Sequence, residues 1–156
     1  MPVRRKIKPM TAESEKDITK KKFLAMMRRP AAYLLINFFL VNTLFALMSS
    51  GLGDILYNLC RISIIFYAGW LVTRKGLGTV WHAALTGMFM YFIDHVLLKG
   101  GVFLLNYLLK PEGLGLAAFL GVLVSFVLFS PLAMSVGALG GFFARSREKG
   151  TTIGSP

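Results

Sequence analysis

Four apolar stretches, at residues 31–49, 52–73, 77–98 and 114–144, leave this chain little choice of solvent. Each has about the twenty residues or more that an α-helix needs to cross ~30 Å of hydrocarbon. Inside a bilayer no water bonds the peptide groups, so a single segment must satisfy its own backbone, and a helix does so. The expected fold is an all-α integral membrane protein, a four-transmembrane-helix bundle. Its fourth helix is long, and Pro131 is expected to kink it because proline removes a backbone donor.

Charge orients the bundle. Of the eighteen Lys and Arg residues, ten precede residue 31, two (Arg74 and Lys75) separate the second and third stretches, and three (Arg145, Arg147 and Lys149) follow the fourth. Lys99 and Lys110 alone fall in the other connections, and Arg61 lies within a span. Because excess basic residues mark cytoplasmic segments, the expected topology has both termini and the Arg74–Lys75 loop inside. A bacterial plasma (inner) membrane is the simplest compartment, and the first apolar run is expected to be a retained span and not a cleavable leader, because so long a basic segment precedes it.

The chain divides into a basic segment at 1–30, a membrane domain at 31–144 and a tail at 145–156, expected to be basic and then disordered. In the first segment acids come early and bases late, which complements a helix dipole. It reads either as an interfacial helix or as a solvated tail that sets topology. Pro30 marks the start of the first span. Residues 102–109 are too few to cross alone, so they either extend the third helix or form a short outer interfacial helix. The basic residues Lys20, Lys21, Lys22, Arg28, Arg29, Arg74, Lys75, Arg145 and Arg147 are placed to meet anionic lipid headgroups.

Arg61 and Asp94 are the candidates for function. A charge within a span is costly and normally finds a partner or water. Counting ~1.5 Å per residue puts both in the outer half of neighbouring antiparallel helices, within reach of an ion pair. Asp54, Asn58 and Arg61 share one helical face, as do Tyr91, Asp94 and His95, and Asn42 adds a polar edge on the first helix. Two readings stand: a pair that fixes helix register, or a polar recess for an ion or small solute.

Ala117, Gly121, Ser125, Ala133, Gly137 and Gly141 repeat every fourth residue or a multiple of it, the pattern of a close helix-packing ridge. No nucleophile, paired-carboxylate or phosphate-loop motif appears, so neither catalysis nor a cofactor is expected. The histidines are ~20 Å apart along one helix and cannot share a metal. The net charge of +11 flanks the spans rather than accompanying a recognition motif, which argues against nucleic acid. The expected function is a small non-catalytic scaffold, assembly or accessory subunit with a protein partner or a second copy of itself. The alternative is a small oligomeric permease or channel using the recess.

Overall fold

The computed structural model describes the backbone of residues 12–45, 50–110 and 115–151, and the side chains of 21–40, 43, 51–110 and 115–147. These residues form four helices, each long and apolar enough to cross a membrane. We label them α1 (Ala12–Phe45), α2 (Ser50–Arg74), α3 (Val80–Leu109) and α4 (Gly115–Thr151). In α3 an eight-residue π-helical stretch, Ile93–Gly100, joins α-helical Val80–Phe92 to α-helical Gly101–Leu109.

The helices extend beyond the apolar stretches that define them. α1 runs through Pro30, so the basic segment and the first span form one helix, with Pro30 buried in it. α3 does not stop at Lys99, and residues 102–109 are its continuation. The Gly100–Gly101 pair fails to break it because the helix remains the one local structure that satisfies every peptide group in an apolar medium. Gly100 also packs where a Cβ would stand 3.3 Å from the Phe119 ring. α4 continues past Pro131, and the Ser130 hydroxyl donates to the Val127 carbonyl, which the proline leaves without its helical donor. Of the expected disordered tail, residue 151 still belongs to α4 and residues 152–156 lie outside the described set.

α2 ends in a Schellman motif. Gly76 takes φ +66°, its N–H bonds the Thr73 carbonyl at 3.0 Å, and the Leu77 N–H reaches the Val72 carbonyl at 3.2 Å. α3 then starts with a reciprocal cap in which the Thr79 N–H donates to His82 Nδ1 at 3.2 Å. His82 is thereby committed to the helix start.

α4 packs along both α2 and α3, whereas α1 leans on α2 and touches the π-helical stretch. Neighbours in sequence run antiparallel: Asn37 meets Tyr57, Tyr57 meets Asp94, and His95 meets Ser125. The close approach rests on glycine. A Cβ at Gly69 would strike the Gly137 backbone, one at Gly87 or Gly137 would strike the facing α4 or α3 backbone, and one at Gly140 would strike Phe66. Gly141 sits where a Cβ would be 2.6 Å from the Ala83 Cβ.

The small-residue ridge therefore divides. Ala133, Gly137 and Gly141 are buried against α2 and α3, Ser125 turns to His95, and Ala117 and Gly121 are exposed, with open space over Gly121. A four-residue step advances about 40° beyond a full turn, so such a row winds off any one face within a few steps. Gly140, outside the row, joins the contact for the same reason.

Large apolar side chains cover the outside, among them Leu56, Leu59 and Ile62 on α2 and Val124, Val127 and Leu128 on α4. Such a surface is matched to lipid.

Gly137→Val forces a side chain into backbone that cannot yield. It is expected to cost about 3 kcal/mol or more, whereas Gly121→Ala should change stability by no more than about 1 kcal/mol. Unfolding in mixed detergent micelles measures both; equal effects would contradict the division of the ridge.

Candidate functional site

The π-helical stretch of α3 carries Asp94, His95 and Lys99, and Asp94 is the most enclosed charge among the described residues at 0% exposure. Both oxygens of its carboxylate are occupied from α2. The Tyr57 hydroxyl donates to Oδ1, and Arg61 Nη1 donates to Oδ2 at 3.5 Å. Tyr57 and Arg61 stand four residues apart, so both reach the same point across the helix interface. Arg61 keeps 18% of its side chain exposed, which makes the acid the sealed partner.

Aromatic rings line the cations. The Arg61 guanidinium carbon is 5.2 Å from the Tyr91 ring centroid and 5.8 Å from that of Tyr57. Lys99 Nζ lies 4.3 Å from the Tyr57 ring centroid. Ring faces attract cations most where water is excluded. A π-helix bonds residues five apart, and Asp94 and Lys99 have that spacing, so both turn toward α2. α1 contributes from behind: the Asn37 side-chain amide donates to the Tyr57 carbonyl at 3.4 Å, fixing the backbone of the residue that holds Asp94.

His95 faces away from the acid. It stacks on Tyr91 at 5.0 Å, and its Nε2 meets Ser125 Oγ on α4. The Ser125 hydroxyl directs its hydrogen to the Val122 carbonyl at 3.0 Å, which leaves Nε2 to donate and Nδ1 to accept. Nδ1 is buried and meets no donor. The arrangement ties four helices together through polar contacts: Asn37 of α1, Tyr57 and Arg61 of α2, Asp94 and His95 of α3, and Ser125 of α4.

The structure thus joins Arg61, Asp94 and Tyr91, with His95 beside them. Asn58 bonds the Asp54 carbonyl of its own helix at 2.8 Å and stands outside the cluster, whereas the exposed Asp54 side chain makes no hydrogen bond to it and reaches Lys99 only through the attraction of opposite charges. The Asn42 side chain lies outside the described residues, as does that of Lys20. Tyr57, Asn37 and Lys99 are the members that pattern alone overlooks. Tyr57 was legible, being one helical turn from Arg61. Lys99 was not, since it reads as a loop residue until α3 is seen to continue past it.

The basic residues gather at the opposite end of the bundle. Lys22 and Arg29 of α1 face Arg74 and Lys75. Arg145 and Arg147 lie at the same end on α4, just beyond Gly141, which packs on Thr73 and Val80. Lys21 and Arg28 are exposed on α1, outside the cleft that the first four form. Among the described residues no group of His, Cys, Asp or Glu is placed to hold a metal ion. No protein-family model, curated protein or solved structure matches the chain.

Removing the Asp94 carboxylate leaves Arg61 without its anion. Asp94→Ala is expected to destabilise the fold by about 3–5 kcal/mol, the range for breaking one side of a buried pair. The double variant Arg61→Met/Asp94→Leu should be less damaged than the sum of its single changes. Additive losses in a double-mutant cycle would mean that the two residues do not act together.

Proposed function

We propose that this protein is a non-catalytic multi-pass membrane component, a scaffold, assembly or accessory subunit that works through its helix surfaces. One observation carries the proposal: the Asp94 carboxylate is closed to solvent and both its oxygens are already partnered within the chain. A group so committed holds helices in register, as single buried polar residues do in helix bundles. Closed to solvent, it stands out of reach of a passing solute. The lipid-facing sides of α2 and α4 and the exposed Ala117–Gly121 edge remain for a partner protein or a second copy.

A permease or channel is the second reading, favoured by the buried and unpartnered His95 Nδ1. Intramembrane ionisable groups line solute paths in such proteins. The two readings separate in one pair of experiments. A register pair predicts that Arg61→Asp/Asp94→Arg restores both the abundance lost in the single variants and the wild-type phenotype. A stoichiometric heterologous partner should copurify from native membrane. A purified homo-oligomer, together with a swap that restores abundance and not phenotype, supports the permease and overturns the scaffold.

Orientation is part of the proposal. The end bearing Lys22, Arg29, Arg74, Lys75, Arg145 and Arg147 faces the cytoplasm, and the end bearing Lys110 faces outward. In a Cys60→Ser background, Lys110→Cys should react with an impermeant maleimide in intact cells and Lys75→Cys only after lysis. The reverse pattern would invert the topology.

A further inference from the structure

Two matched helix faces enclose a cleft at the basic end. Lys22, Ala25, Met26 and Arg29 of α1 follow the spacing i, i+3, i+4, i+7, and so do Tyr67, Trp70, Leu71 and Arg74 of α2. Residues so spaced share one face of a helix, and the two faces look at each other across a cavity of 790 Å³ that Lys75 and Leu77 also line. That volume falls in the range of about 300–1,000 Å³ typical of small-molecule sites.

The chemistry of the walls is lopsided. Four cations line the cleft, and no carboxylate among the described residues joins them. Arg74 is held in place, its guanidinium carbon 4.6 Å from the Trp70 ring centroid, and Trp70 in turn stacks on Tyr67 at 6.0 Å. A guanidinium fixed over a ring keeps its N–H edge free, and that edge matches two oxygens of a phosphate. The Schellman turn carries Lys75 and Leu77 to the rim.

The walls change character along the bundle. Lys22, Arg74 and Lys75 mark the end near the α2–α3 turn. Toward the middle of the bundle the cleft is lined by Arg29 and Tyr67, and Tyr33 continues the aromatic wall, 6.3 Å from Tyr67. A polar head bearing negative charge fits the part that Lys22, Arg29, Arg74 and Lys75 line, and an apolar chain fits the aromatic wall from Tyr67 to Tyr33.

We infer that this cleft binds the phosphate headgroup of an anionic membrane lipid, with its glycerol and upper acyl chain against Tyr67, Trp70 and Tyr33. The site is independent of the scaffold reading, since neither Asp94 nor any partner surface lines it. A phosphate could also arrive on a soluble molecule, so the test separates the two sources.

The full chain carrying Trp81→Phe keeps Trp70 as its single tryptophan. In neutral detergent micelles, titration with phosphatidate should change Trp70 emission saturably, phosphatidylcholine should not, and glycerol 3-phosphate should act only at far higher concentration. Arg29→Gln/Arg74→Gln removes two charge-assisted contacts and should weaken half-saturation by about tenfold or more. Arg145→Gln/Arg147→Gln, at the same end and outside the cleft, should weaken it by less than about threefold. Because Arg74 touches the reporter ring, lipid retention by native mass spectrometry repeats the comparison without fluorescence. Equal losses in both pairs would reduce the site to diffuse attraction and overturn the inference. Equal binding of phosphatidylcholine would overturn the phosphate, and equal potency of glycerol 3-phosphate would overturn the lipid.

Discussion

Hydrocarbon offers no hydrogen bonds, and every other feature of this molecule follows from that lack. Backbone that cannot turn to solvent stays helical, which is why α3 passes through Gly100–Gly101 and α4 through Pro131. Where proline breaks the ladder at Val127, a serine hydroxyl takes the orphaned carbonyl. Where a carboxylate enters, a phenol and a guanidinium close over both its oxygens.

The same lack removes the usual reason for helices to associate. Lipid tails are as apolar as leucine, so contact must come from close van der Waals packing and a few polar bonds. Gly69, Gly87, Gly137 and Gly140 supply the first by bringing three backbones together near the basic end. The Asn37–Tyr57–Asp94–Arg61 cluster supplies the second toward the other end. Packing and polar bonding are thus divided along the length of the bundle. The π-helical turn belongs with the polar half, because its wider spacing sets Asp94 and Lys99 toward one neighbour.

Much of the candidate site was legible because intramembrane charge is rare. Arg61 and Asp94 stand out from composition alone, and their depth along antiparallel helices brings them within reach. Tyr57 follows from Arg61 by one turn. Asn58 and Asp54 share that stripe by spacing, yet Asn58 bonds back to its own helix, an option that every asparagine in a helix has and that spacing does not reveal. Lys99 and Asn37 depended on where α3 ends and how α1 leans, and both are long-range matters.

Local sequence by itself determined four helices long and apolar enough to span a membrane and the concentration of charge outside their apolar stretches, because length, hydropathy and the need for internal hydrogen bonds act on each segment alone. It did not determine which face of each helix is shared. A row of small residues every fourth position winds around α4, and only contact with α2 and α3 decides that Gly137 is enclosed while Gly121 is open. The basic cleft is of the same kind: Lys22 and Arg74 lie fifty-two positions apart in sequence, and only the antiparallel packing of α1 on α2 turns two ordinary basic flanks into one cavity.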